Sequence, residues 1–110
     1  MYKDVIMDKK LEKYKSTFPD FKILIVDDAE SIRNIIKFML LKLDFSSVFE
    51  ASNGQEALKK LQDGDFDLVI ADLKMPKLNG LELLKKIKAD ERLKMLPFIM
   101  VSGEGDKEYV

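Results

Sequence analysis

Apolar and polar positions change period in blocks along this chain. Phe21-Lys-Ile-Leu-Ile-Val26 is a short apolar run rich in β-branched residues, which reads as a buried strand. Asp27-Asp28-Ala-Glu-Ser31 is a polar turn. Ile32, Ile35, Ile36, Met39, Leu40 and Leu43 then recur at the spacing of an amphipathic helix. Ser47–Ala51 is a weaker strand, and Asn53-Gly54 turns into a helix carrying Ala57, Leu58 and Leu61. Phe66–Ala71 holds the apolar run Leu-Val-Ile-Ala and predicts a central strand. A loop with Met75-Pro76 and Asn79-Gly80 leads to a helix marked by Leu81, Leu83, Leu84 and Ile87. Pro97–Val101 predicts a fourth strand, and 102–110 a loop that begins another helix.

Strands alternating with helices of about 10–14 residues imply right-handed βαβ crossovers and a parallel sheet covered on both faces. The fold class is therefore α/β. Ahead of it, Met7, Leu11, Tyr14 and Phe18 share one face of a charged, helix-favouring segment that Pro19 and Asp20 end. The expected organisation is an N-terminal helical extension over 1–20 and one domain over 21–110.

Composition narrows the chemistry. The 110 residues are 46% hydrophobic and 35% charged, as in a globular domain. Nineteen Lys and Arg against twenty Asp and Glu leave a net charge of -1, which excludes a broadly basic nucleic-acid binder. Without Cys there is no disulfide or thiolate metal site; without His, no imidazole ligand or Ser-His-Asp triad. No apolar run approaches the roughly 20 residues that cross a bilayer, and the N-terminus is too charged for a signal peptide. The expected location is the cytoplasm, with no membrane partner.

In an open parallel sheet, ligands collect at the carboxyl edge, where the strand order reverses. The first strand is followed by Asp27 and Asp28, the third by Asp72, and the fourth by Ser102 and Gly103. Three carboxylates and one hydroxyl meet if these strands are neighbours. Crowded carboxylates repel, so at least one should have a raised pKa unless a cation relieves it. An all-oxygen donor set of this size favours Mg²⁺ or Mn²⁺ over zinc or a calcium cage. A carboxylate beside Mg²⁺, with a hydroxyl donor nearby, suits in-line attack on a phosphoryl group to give an aspartyl phosphate.

The stretches Ile23–Asp28, Glu50–Leu58, Phe66–Asp72, Met75-Pro76 with Gly80, and Ile99–Ser102 resemble a response-regulator receiver domain of the single-domain chemotaxis type. The resemblance implies a flavodoxin-like doubly wound sheet in strand order 2-1-3-4. It implies Asp72 as phosphoacceptor, and Mg²⁺ held by Asp27, Asp28 (directly), Asp72 and the backbone carbonyl of Lys74. Ser102 would turn toward the phosphoryl group. The implied partners are a sensor histidine kinase or phosphotransfer protein, or a small acyl phosphate as donor, together with an output partner the sequence does not name. The family continues with a further helix, a fifth strand bearing a Lys and an aromatic switch residue, and a last helix. This chain stops at Val110, so the expectation is a curtailed receiver that is phosphorylated and switches poorly. Losing the last helix would bare an apolar strip beside Ile32–Leu43, for residues 7–18 to cover, and an open strand edge would invite homo-oligomers.

Blander readings compete. Alone, Asp27-Asp28 reads equally well as a helix N-cap, and Asp72 reads more readily as a turn residue; the spacing to Asp72 outweighs the first, and Met75-Pro76 with Gly80 reverses the second. The lysines at 59, 60, 85, 86 and 88 read as solvated helix faces. A Mg²⁺-dependent aspartyl phosphatase usually carries a second Asp two residues past its nucleophile, where this chain has Lys74. A flavin binder wants a phosphate loop free of acid, unlike Asp-Asp-Ala-Glu. A non-phosphorylated receiver-like interaction module is the remaining alternative. The expected protein is thus a signalling domain that performs only its own phosphotransfer and dephosphorylation, not a metabolic enzyme.

Overall fold

A computed structural model describes residues 20–101. The predicted helix of residues 1–18, and Ser102 with the loop after it, lie outside the described residues. Among the described residues there are four strands: β1 (Lys22–Val26), β2 (Ser47–Ala51), β3 (Leu68–Asp72) and β4 (Phe98–Val101). Three helices connect them: α1 (Glu30–Lys42), α2 (Gly54–Asp63) and α3 (Gly80–Ala89). The strands are all parallel, in the order β2-β1-β3-β4. That is the predicted α/β architecture, with the reversal of strand order at β1 and β3.

Helix starts are written locally. Asn53 caps α2 by accepting the Glu56 N–H at 2.9 Å, while Glu56 accepts from the Ser52 hydroxyl at 2.8 Å. Asn79 and Glu82 form a reciprocal capping box on α3, at 2.9 and 3.1 Å. For α1 the cap is Ala29, whose carbonyl accepts the Ile32 and Arg33 N–H groups. Neither Asp27 nor Asp28 caps it, which removes the bland explanation of that pair.

Boundaries moved in two places that matter. β3 begins at Leu68, because the Asp67 carboxylate takes the Lys22 N–H at 2.8 Å and so occupies the next place in the ladder. Phe66 instead packs edge-on against Phe49, with the Lys22 ammonium 4.8 Å from its ring centre. At the other end β3 includes Asp72, whose register partner is Val101. The acid predicted to follow the strand is its last residue.

One face of the sheet carries Leu24, Val26, Val69 and Ala71 against Ala57 and Leu61 of α2 and Leu83 and Ile87 of α3, all essentially without solvent contact. The other face carries Ile23 and Ile25, fully buried, with α1 packed on β1 and β2. Among the described residues this face is only partly covered. No residue of α1 is buried, and Ile99 and Val101 of β4 are half exposed. Among the described residues, the expectation of a sheet covered on both faces holds fully for the first face and over β1 for the second.

A single cation closes the far end of α2. The Arg92 guanidinium donates to the carbonyls of Leu61, Gln62 and Gly64, oxygens that the helix end leaves without partners. Arg92→Ala should therefore lower unfolding stability by about 1–2 kcal/mol, read as a lower urea midpoint. Lysine, a point charge with no planar fork, should restore less than half of the loss.

Candidate functional site

Adjacent strands deliver the site. Val26 of β1 is in register with Ala71 of β3, so the residues that follow each emerge side by side at the carboxyl edge. Asp27 extends β1 by one bond to β2, its N–H donating to Ala51 at 3.1 Å. The carboxylate oxygens of Asp27, Asp28 and Asp72 come within 4.8 Å of one another. Asp27 is 6% exposed, Asp72 is half-buried and Asp28 faces solvent.

The electrostatics follow from that crowding. Burial pushes the Asp72 carboxyl above its usual range; the charges of Asp27 and Asp28 add to the rise, and backbone N–H groups of Lys74 and Leu73 oppose it. Burial likewise raises Asp27, and Asp28 adds to it, against the Ala29 N–H that donates to Asp27 Oδ1 at 2.9 Å. Among the described residues no Lys or Arg forms an ion pair with these three acids. Arg33 is close, but its Nη1 donates to the Asp27 carbonyl at 2.7 Å and its Nε to Glu50 at 3.0 Å. It braces the backbone of the acidic turn, and its charge eases the rise at Asp27 without reversing it.

The β3–α3 loop is held at both ends. The Leu73 carbonyl accepts the Gly80 N–H at 2.9 Å, and the Leu78 carbonyl accepts the Gly54 N–H at 3.1 Å. A Cβ on Gly80 would overlap the Asp72 carbonyl, and one on Gly54 would overlap Leu78. Lys77 sits between these anchors in the left-handed region, at φ 67°. The loop backbone therefore approaches the strand end closely enough to fix Asp72. A cavity of about 380 Å³ opens between Asp28 and this loop, floored by Asn79 and Leu81. Lys74 lines it.

The donor set suits a hard divalent cation. It offers three carboxylates, no nitrogen or sulfur ligand, and an excess of negative charge that a cation would relieve. Of the predicted site residues, Asp27, Asp28 and Asp72 come together, and Lys74 borders the same cavity. Ser102 lies outside the described residues, beyond Val101, which pairs with Asp72. The support from Arg33 and Glu50 was not foreseen. It depends on the β1–β2 register, which sets Ile25 beside Glu50, and no short motif announces that.

A doubly wound parallel sheet with an acidic cluster at its switch point defines the receiver class of α/β domain. Residues 23–110 match the response regulator receiver domain family, and the chain belongs to it. It is 46% identical over 91 residues to the chemotaxis protein CheY-3 of Vibrio cholerae, covering 83% of this chain and 70% of that protein. It is 45% identical over 89 residues to CheY of Pseudomonas aeruginosa, covering 81% and 72%. Among solved structures it is similar to the response regulator TrrA of Thermotoga maritima, in complex with Mg²⁺-BeF, with a TM-score of 0.71 and 34% identity over 80% of this chain and 75% of that one. Vibrio cholerae CheY4 is similar at a TM-score of 0.68 and 33% identity, over 80% and 75%. The protein is thus a receiver domain of two-component and chemotaxis signalling rather than a classical enzyme. No helix among the described residues is long and apolar enough to cross a membrane.

A carboxyl whose pKa is raised on folding binds its proton more tightly in the folded state, so its ionisation opposes folding. In chelator at pH 7, Asp72→Asn should therefore melt several degrees above the wild type. The gap should close as the pH falls through the raised pKa toward the ordinary value of 3.8, where the wild-type carboxyl is also neutral. Paired melting curves across pH 4–8 check this.

Proposed function

We propose that Asp72 accepts a phosphoryl group from a phosphohistidine on a sensor histidine kinase or phosphotransfer protein, or from a small acyl phosphate. The observation that carries this reading is the approach of the Asp27, Asp28 and Asp72 carboxylate oxygens to within 4.8 Å at the switch point of the sheet. An Asp72 oxygen attacks phosphorus in line with the leaving group; the new O–P bond replaces the donor's N–P or O–P bond, and the donor departs as imidazole or carboxylate. Asp72 acts in its ionised form, and the neighbours that raise its pKa also make it the more basic nucleophile.

Asp27, Asp28, Asp72 and the backbone carbonyl of Lys74 would hold Mg²⁺. That ion, when bound, would neutralise the phosphoryl oxygens and allow a dianion to approach three acids. Asp27 is aimed by the Ala29 N–H, and its backbone is anchored by Arg33. Gly80 and Gly54 keep the β3–α3 loop seated against Asp72. Ser102 donates a hydrogen bond to a phosphoryl oxygen, which draws its loop inward and shifts a two-state equilibrium at the β4 side toward the form an output partner binds. Residues 21–110 act as the receiver unit and residues 1–20 as its extension.

Incubation with acetyl phosphate and Mg²⁺, followed by mass spectrometry, should show one phosphoryl group added to the wild type. Asp72→Asn should lower that yield at least tenfold, and Ser102→Ala should slow the reaction several-fold without abolishing it. An adduct that forms equally well in Asp72→Asn would contradict the assignment.

A further inference from the structure

Arg33 stands beside three carboxylates and does not turn to them. Its Nη1 donates to the backbone oxygen of Asp27 at 2.7 Å, and its Nε to the Glu50 carboxylate at 3.0 Å. A planar, permanent cation this near an acid cluster would ordinarily fork onto a carboxylate. Asp27 Oδ1 instead takes the Ala29 N–H, at 2.9 Å. The Arg33 side chain is only 15% exposed, so water screens it weakly and the direction it takes matters.

Glu50 accounts for that direction. It lies on β2 in register with Ile25 of β1, which is fully buried on the α1 side of the sheet. Arg33 and Lys37, one turn apart on α1, both reach its carboxylate, at 3.0 and 3.5 Å. Glu50 is itself held in place. Its backbone is in the β1–β2 ladder, and its carbonyl accepts from the Lys60 ammonium of α2. A single acid one strand away from the cluster thus gathers the cations that the cluster, with three acids, does not.

We propose that Glu50 is a positioning residue for the metal site: by holding Arg33 it keeps the nearest guanidinium out of the Asp27, Asp28 and Asp72 cluster and leaves those oxygens open to a divalent cation. The inference rests on the Mg²⁺ reading above. Without Glu50, rotation of the Arg33 side chain suffices to carry it from the Asp27 backbone oxygen to the carboxylate of the same residue. A guanidinium paired there would compete with Mg²⁺ for the same oxygens. The part played by Glu50 is therefore indirect, and it disappears when Arg33 is absent.

That dependence is the test. Mg²⁺ titrations of the 110-residue chain, followed by amide NMR shifts at neutral pH and constant ionic strength, give a Kd for each variant. Glu50→Ala should raise the Kd by about fivefold, the size of effect expected between residues in contact. In an Arg33→Gln background the same substitution should change the Kd by less than about twofold, so that Arg33→Gln/Glu50→Ala binds Mg²⁺ more tightly than Glu50→Ala alone. Glu50→Gln, which keeps an acceptor for Arg33, should show the same pattern at smaller size and carries the comparison if Glu50→Ala does not fold. An unchanged Kd in both Glu50 variants would overturn the proposal. So would an equal weakening with and without Arg33, which would mean that the Glu50 charge acts on the cation directly. A double variant as weak as Glu50→Ala would overturn it too, because Glu50 would then only brace the turn through Arg33. A wild type with no saturable response would overturn the metal reading itself, whereas saturable binding that ignores these substitutions overturns this inference alone.

Discussion

Mutual repulsion among Asp27, Asp28 and Asp72 is the constraint around which this fold is organised. Adjacent parallel strands end in acid, and the register brings the carboxylates together at one edge. Burial of Asp27 and partial burial of Asp72 aggravate the conflict, because the charged form loses water as well as distance. A small domain has little stability to spare. Three acids in this position are a standing cost that a bound divalent cation would relieve.

The surroundings hold that arrangement together without fully relieving it. Arg33 reaches the backbone of Asp27 and the side chain of Glu50, so the nearest guanidinium stiffens the turn and only partly offsets the rise at Asp27. The glycines at 54 and 80 do similar work from the other side. Each permits a backbone approach that a Cβ would block, and together they clamp the loop after β3. Rigidity here favours a site poised for a hard ligand, because the backbone segments that carry the acids are already held in place.

Much of this was legible in the order of residues. Continuous apolar runs marked β1, β3 and β4, as expected of strands buried on both faces, although β4 is half exposed on one face among the described residues. The acids after those runs marked the site, since parallel strands end on one edge. What escaped were features set by register and by the solvent boundary. Asp72 belongs to β3 because Val101 pairs with it, while Phe66 left the strand because the Asp67 side chain took a ladder donor. The Arg33–Glu50 contact joins residues seventeen apart that only the β1–β2 pairing makes neighbours. The amphipathic period of α1 correctly announced a helix, but period alone does not say which apolar flank the sheet covers. Ile36 and Leu40 face the sheet, whereas Ile35 and Met39 do not.

The most direct test of the central claim is thermal melting of the wild type and Asp28→Asn as Mg²⁺ is raised at constant ionic strength and neutral pH. A ligand that binds only the folded state adds stability that grows with the logarithm of its concentration above the Kd. The account predicts a Tm that climbs steadily with Mg²⁺ in the wild type and stays nearly flat in Asp28→Asn. A wild-type Tm indifferent to Mg²⁺, or an equal climb in both proteins, would contradict it.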